Sequence, residues 1–416
     1  MQVPEGWKKK RISELGGSDR PAVKAGPFGS ALKKEFYVDE GYKIYGQEQV
    51  ISNDPFYGDY YIDEKRYKNL ESCSVRPNDI LMSLVGTLGR ILIIPSNAEM
   101  GIINPRLLRL SLCDKQVNVY YIKYLLEDIR TQNLLERWSQ GGTMGVLNAS
   151  IVSDLPLLIP PLAEQEKIAE ILSTWDHAIE QTERLKANAE THKQALMQQL
   201  LTGKKRFPEF EGEWKEYRLS KLGETFNGLS GKTAKDFGTG KPFITYKNIF
   251  DNSKIDITKF EYVNIEDNEN QQKVERGDLF FTTSSETPEE VGMSSVMLDT
   301  PTKDLYLNSF CFGLRLFEAN RLLPEFAQFL FRSNHVRQKI ILLAQGSTRF
   351  NLSKIAFMKI KIKLPSIEEQ QKIAAVLNRA DREIELLAEK LDHLKTEKRA
   401  LMQQLLTGKR RVKVDG

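Results

Sequence analysis

The segment from Pro160 to Lys204 recurs from Pro365 to Lys409 without a gap, Gln404 repeating Gln199 at a shift of 205 residues. The ten residues Ala-Leu-Met-Gln-Gln-Leu-Leu-Thr-Gly-Lys that begin at Ala195 begin again at Ala400. The chain is a tandem duplication, so one protein carries two copies of one device. At 416 residues it has room for two or more domains of ordinary size, each with its own core.

Each copy reads as one long helix. In the second, Ile373, Leu377, Ala380, Ile384, Leu387, Leu391, Leu394, Leu401 and Leu405 fall at alternating steps of four and three, with Lys398 taking one place. That is a heptad seam, and it calls for a helical partner. The first runs Ile168, Leu172, Trp175, Ile179, Ala189, Leu196 and Leu200, with Thr182, Lys186 and Lys193 at the remaining places. Ser366 followed by Glu369 predicts a capping box, and Gly203-Lys204 and Gly408-Lys409 predict left-handed stops. A helix of about 40 residues is about 60 Å long, more than a compact domain needs for its own core. If the two helices pair antiparallel, the first carries the chain out and the second brings it back. The expectation is a closed, pseudo-two-fold arrangement with two globular heads joined by a rod.

Between the helices the two halves share a plan and differ in content. Trp-Lys-Lys-Lys-Arg-Ile-Ser-Glu-Leu-Gly from Trp7 matches Trp-Lys-Glu-Tyr-Arg-Leu-Ser-Lys-Leu-Gly from Trp214. Val-Arg-Pro-Asn-Asp-Ile-Leu-Met-Ser from Val75 answers Val-Glu-Arg-Gly-Asp-Leu-Phe-Phe-Thr from Val274, both strand-like after a turn. Both halves close on a Gln-Gly turn, Gln140 to Gly142 and Gln345 to Thr348, expected to be structural because both copies keep it. Matching frames with different fillings suggest one job done on two targets.

Composition narrows the class. No apolar run approaches the roughly 18 residues of a membrane span, and no secretory leader opens the chain, so no membrane partner is expected. Cys73, Cys113 and Cys311 are too few and scattered for a disulfide framework or a zinc site, which fits a reducing cytoplasm. A net charge of +4 is compatible with nucleic acid without demanding it.

Catalytic motifs are missing. Asp-Pro-Phe-Tyr from Asp54 and Ile-Pro-Pro-Leu from Ile159 do not make the Asn/Asp-Pro-Pro-aromatic motif of an amino-methyltransferase. Phe237-Gly-Thr-Gly is half of a cofactor-binding glycine motif and reads as a turn. Gly231-Lys232-Thr233 has Phe226 where a phosphate loop needs glycine, and reads as a solvent-exposed turn. Glu213-Trp214-Lys215 has nuclease-like spacing, but Gly6 stands at the place of Glu213 in the other copy. His177, His192, His335 and His393 lie on expected helices without partners four residues away, so no metal is expected.

The alternation of variable half and repeated helix, the Glu-Gln helix starts at Glu164-Gln165 and Glu369-Gln370, and the Leu-Leu-Thr-Gly-Lys ends carry a resemblance. With the Gln-Gly turns and the Trp-Lys openings, they make the chain resemble, over nearly its whole length, the specificity subunit of a type I restriction-modification system. The resemblance implies an α+β protein in which two mixed α/β target-recognition domains are separated by a pair of long antiparallel coiled-coil helices. On that reading 1–159 is the first recognition domain, 160–206 the first spacer helix, 207–364 the second domain, 365–411 the second helix and 412–416 a tail.

It further implies a non-catalytic, cytoplasmic subunit whose two domains each read one half of a bipartite, spacer-interrupted site in double-stranded DNA. Its partners would be two adenine methyltransferase (modification) subunits and restriction/translocase subunits, and S-adenosylmethionine, ATP and Mg would be bound by those partners, none by this chain. Inserting residues at the Leu-Leu-Thr-Gly-Lys junction would lengthen the unread spacer. Two other classes are a fused restriction enzyme, which the missing motifs disfavour, and an adaptor bridging two proteins through its heads.

Amide side chains suit adenine edges, and Arg or Lys suit guanine and phosphate. Polar, glycine-bearing loops with such residues nominate Gly26, Phe28, Ser30, Lys33, Lys34, Tyr45, Gln47, Gln49, Thr87, Arg90 and Arg106 in the first half. In the second half they nominate Lys232, Lys235, Tyr246, Lys247, Asn248, Thr283, Ser284, Ser285 and Arg349.

Overall fold

The computed structural model describes residues 3–84, 89–140, 147–266, 268–317 and 321–414. It resolves into two compact units, one of residues 1–182 with 390–416 and one of residues 183–389. The repeated segments are the helices Leu162–Leu200 and Ile367–Leu405, 39 residues each. Each unit therefore holds the front of one long helix and the back of the other.

Inside each unit the two helical segments run antiparallel. In the first, Ile168 and Leu172 share a core with Met402, Leu405 and Leu406, and Asp176 receives Lys398 Nζ at 2.5 Å. In the second, Ile373 and Leu377 pack with Leu200 and Leu201, and Asp381 pairs with Lys193. Rising numbers on one segment meet falling numbers on the other. The stops are equivalent too: Gly203 (φ +71°) and Gly408 (φ +67°) are left-handed. Lys205 and Arg410 then donate their N–H to the carbonyls of Gln199 and Gln404. A Cβ on Gly203 would lie 3.4 Å from the Trp214 indole, and one on Gly408 3.4 Å from that of Trp7. The repeated Thr-Gly and the Trp-Lys openings are thus two sides of one contact.

The Glu-Gln pair at each helix start ties helix to globular part. Gln165 and Gln370 have no exposed surface. Gln165 donates to the carbonyls of Pro160 (2.9 Å) and Gln116 (3.2 Å) and accepts from Asn118 N–H (2.9 Å). Gln370 does the same with Pro365 (3.1 Å), Arg321 (2.8 Å) and Leu323 N–H (2.9 Å). Glu164 takes a two-pronged ion pair from Arg411, at 2.7 and 2.8 Å, and accepts from Trp7 Nε1 at 3.1 Å. Arg411 also donates to the Glu5 carbonyl, so the end of the chain returns to its beginning. Glu369 holds Arg206 in the same two-pronged way, at 2.9 and 2.7 Å. The expected capping box at Ser366 is therefore half made. Ser366 Oγ accepts from Glu369 N–H (3.3 Å), but the Glu369 carboxylate goes to a guanidinium, a stronger partner than a neutral amide.

The antiparallel four-stranded sheets share one topology. In the first unit an antiparallel sheet has the order Val23–Ala25, Leu107–Leu110, Ile80–Ser83, Ile91–Ile93. In the second the order is Gly223–Asn227, Cys311–Leu316, Leu279–Thr282, Ser294–Val296. The inner strand Ile80–Ser83 or Leu279–Thr282 is entered through the same turn: Asn78 (φ +66°) or Gly277 (φ +92°) precedes a buried aspartate, Asp79 or Asp278. That carboxylate accepts the N–H three residues back, Arg76 or Glu275, at 2.8 Å in both. A second, mixed sheet pairs Tyr42–Tyr45 parallel to Gly101–Ile103 in one unit and Phe237–Ile244 parallel to Tyr306–Leu307 in the other. Phe237-Gly-Thr-Gly, expected as a turn, is the bulged start of that strand, where Gly238 (φ +113°) and Gly240 (φ +106°) absorb the irregularity. Three short helices follow the sheets in each unit, Val119–Glu127, Ile129–Gln140 and Ala149–Ser153 in one and Pro324–Leu330, Asn334–Ile341 and Lys354–Phe357 in the other. A closing strand, Pro156–Ile159 or Lys361–Leu364, then pairs with the opening strand, Lys8–Arg11 or Lys215–Arg218. No described helix is long and apolar enough to cross a membrane.

Candidate nucleic-acid interface

At one end of each four-stranded sheet, loops converge through bonds that repeat from unit to unit. In the first unit Gly26 N–H donates to the Leu107 carbonyl (3.0 Å), Asn104 N–H to the Tyr45 carbonyl (2.9 Å) and Leu84 N–H to the Arg106 carbonyl (3.0 Å). In the second, Gly228 N–H donates to Cys311 (3.3 Å), Asn308 N–H to Ile244 (3.0 Å) and Thr283 N–H to Phe310 (2.9 Å). A Cβ on Gly26 would sit 1.8 Å from the Asn104 carbonyl oxygen, and one on Gly228 2.0 Å from that of Asn308. Only glycine permits this approach of one loop to the next. The Asn side chains shape their own turns: Asn104 Oδ1 accepts Arg106 N–H at 2.9 Å and Asn308 Oδ1 accepts Phe310 N–H at 2.8 Å.

In the second unit a further hairpin joins this cluster. Ser284 and Ser285 pair with Asn351 and Phe350, and on the same strand Leu352 and Asn351 pair back to Ala344 and Gln345. The Gln-Gly turn there is structural in kind, since a Cβ on Gly346 (φ +133°) would lie 2.1 Å from the Arg349 carbonyl oxygen. Its counterpart at Gly141–Gly142 lies outside the described residues, as does Thr87.

The nominated residues divide into two groups. Phe28, Ser30, Lys33, Lys34, Arg90 and Arg106 are exposed in the first unit, as are Lys235, Lys247 and Arg349 in the second. Gly26 shapes its loop, and Gln47 is half-buried. Others are spent inside the fold. Tyr45 is fully buried, its hydroxyl donating to the Glu99 carbonyl at 2.7 Å. Gln49 is buried; its Oε1 accepts Gly46 N–H (2.7 Å) and its Nε2 donates to the Tyr57 carbonyl (2.6 Å). Asn248 plays the corresponding part, donating to the carbonyls of Asp256 and Lys259 and accepting Asp256 N–H. Gly231 and Thr233 are exposed, as expected of a surface turn, but the Lys232 side chain between them is nearly covered and paired with Glu269. Ser284 and Ser285 are buried strand residues, and Thr283 is half-buried with its backbone in the ladder of bonds. Tyr246 donates to the Ser284 carbonyl at 2.9 Å, and burial pushes its phenol upward.

Three kinds of residue at this end carry no mark in the sequence reading. Asn104 and Asn308 are legible afterwards as an Asn 204 residues apart, each near the start of a strand. Phe310 is exposed beside Asn308. Arg332 and Arg337 lie in the second unit's helical region with their guanidiniums on backbone carbonyls alone. Arg332 holds Ile249, Phe250, Asn252 and Ser294; Arg337 holds Glu289, Val291 and Gly292. Burial lowers both to about 10. Both remain cationic at neutral pH, and Arg337 fixes the segment that follows the polar run from Thr282 to Thr287.

Comparison with known proteins agrees with this construction. The family model described as the type I restriction modification DNA specificity domain matches residues 4–191 and again 211–396. The specificity subunit of the type I restriction enzyme MjaVIII from Methanocaldococcus jannaschii is 25% identical over 441 aligned positions, which span 99% of this chain and 95% of the relative. That of EcoKI from Escherichia coli (strain K12) is 22% identical, over 89% of this chain and 81% of the relative. Among solved structures, a type I restriction-modification S subunit from M. genitalium shares the fold at a TM-score of 0.56 and 16% identity, covering 97% of this chain and 98% of that one. A chain from a study of complex assembly and conformational transition of the type I R-M system does so at 0.60 and 18%, covering 99% and 100%. The chain therefore belongs to the type I restriction-modification DNA specificity family, as a targeting subunit rather than a catalyst.

Proposed function

We propose that each unit reads one half of a bipartite, interrupted site in double-stranded DNA, and that the chain directs partner subunits to it. Those partners are two adenine methyltransferase subunits and the restriction/translocase subunits, which carry S-adenosylmethionine, ATP and Mg. The recognition domains are 1–159 and 207–364, and the two long helices separate them.

One observation carries the reading: the loop cluster is built by the same bonds in both units, while the side chains it exposes differ. A shared frame with Lys33, Lys34, Arg90 and Arg106 on one copy and Lys235, Lys247 and Arg349 on the other fits phosphate anchoring around two unlike base sequences. The test is a genome-wide map of methylated adenines in cells with and without the chain. A two-part motif that vanishes on deletion is the expected result. An unchanged map in cells that hold active partner subunits overturns it, and a gel shift that shows no DNA binding with those subunits present favours a protein adaptor instead.

A further inference from the structure

At the tips of the converging loops, each unit exposes one phenylalanine, on opposite members of the equivalent loop pairs. Phe28 lies two residues after Gly26 and is 89% exposed. Ser230 occupies the corresponding place after Gly228. On the neighbouring turn, Arg106 stands two residues after Asn104, whereas Phe310 stands two residues after Asn308 and is 57% exposed. Each unit thus pairs one aromatic tip with one polar tip, in exchanged positions.

A single exposed phenylalanine needs no explanation. This pair differs because the backbone beneath each ring is fixed. The glycine-on-carbonyl approach and the Asn turn fix the backbone of both loops through bonds that do not involve the rings. Cations flank them: Lys33 and Lys34 follow Phe28 on its loop and Arg106 lies on the adjoining turn. In the second unit the exposed Lys247 stands three residues past Ile244, whose carbonyl accepts Asn308 N–H.

We infer that Phe28 and Phe310 are base-stack wedges, each ring pressing into one base-pair step of its own half-site while the neighbouring cations hold the phosphates. This rests on the DNA-reading function proposed above and adds the mode of contact. An apolar side chain so inserted unstacks a step and kinks the duplex by about 20–90°. It reads the local ease of deformation as well as the bases themselves.

The experiment uses the full chain with its methyltransferase subunits and a duplex carrying the mapped site, with dyes at the two ends reporting bending by energy transfer. Phe28→Ala and Phe310→Ala are each expected to weaken binding about tenfold and to straighten the duplex partly, and the double variant fully. Phe28→Trp is expected to keep both affinity and bend. Unchanged thermal stability shows that the alanine variants fold. The inference is overturned if the variants bend and bind as the parent does, if the parent binds its site without bending it, or if the variants lose subunit assembly instead of DNA binding. A parent that binds no mapped site defeats the underlying reading, a distinct result.

Discussion

Gln165 and Gln370 show how one side-chain chemistry serves different ends. Their amides are consumed by two carbonyls and one N–H each, so truncation leaves buried groups unpaired at about 1–3 kcal/mol apiece. Gln165→Ala is expected to lower the melting temperature of the protein by at least about 5 °C in calorimetry, with Gln370→Ala alike. Gln49 and Asn248 carry the amide that suits an adenine edge, but the same donor and acceptor suit a loop backbone. Nothing in local sequence separates the two uses; burial does. Asn248 holds the turn at Asp256, whose carboxyl is lowered to about 2, chiefly by the Thr258 hydroxyl and then by Lys259. A folded-state pKa below the unfolded 3.8 means that this contribution is complete above pH 3.8 and is lost as pH falls through 2. An NMR titration is expected to place the Asp256 midpoint near 2, and Thr258→Val to move it upward.

The long helices were the most legible elements, because a heptad seam writes its period into the chain. Two of the three lysines that interrupt the seam pair across it, while Lys186 pairs with Glu190 on its own helix. Lys398 meets Asp176 and lies 5.1 Å from the centre of the Tyr124 ring; Lys193 meets Asp381 and lies 5.6 Å from that of Phe329. These are equivalent positions in the two units, so the interruption is itself repeated. A charged pair at one seam position favours a single register over its slipped alternatives. A double-mutant cycle of Asp176→Ala and Lys398→Ala is expected to give a coupling of about 1 kcal/mol in denaturant unfolding, and additivity would remove the pairing from the account. The short strands were legible only as alternation between turns. Their order, with a parallel pair between Tyr42–Tyr45 and Gly101–Ile103, depends on contacts distant in sequence.

For the molecule as a whole, helix length is the quantity that would set the unread spacer. The Leu-Leu-Thr-Gly-Lys junction is a poor place to change it, since Gly203 lies against Trp214 and Arg206 is clamped by Glu369. Whole helical turns added between Thr182 and Glu183, matched between Glu389 and Lys390, leave each unit's own contacts intact. Methylation mapping is expected to show a changed spacer with both half-sites preserved. Altered half-sites with the old spacer would refute the role of the helices.

By itself the sequence determined the duplication, the two long helices with their stops, and the family. These are written in periodicity and in repeated residues, which survive without knowledge of contacts. Only the tertiary structure decided which polar side chains face outward, that Glu164 and Glu369 clamp arginines beyond the opposite helix's end, and that Phe28 and Phe310 lie on equivalent loop pairs, one in each unit. The reason is physical. A helix is specified by neighbours three and four residues away, whereas a loop site is assembled from segments about 80 residues apart, and burial there cannot be read from any one of them.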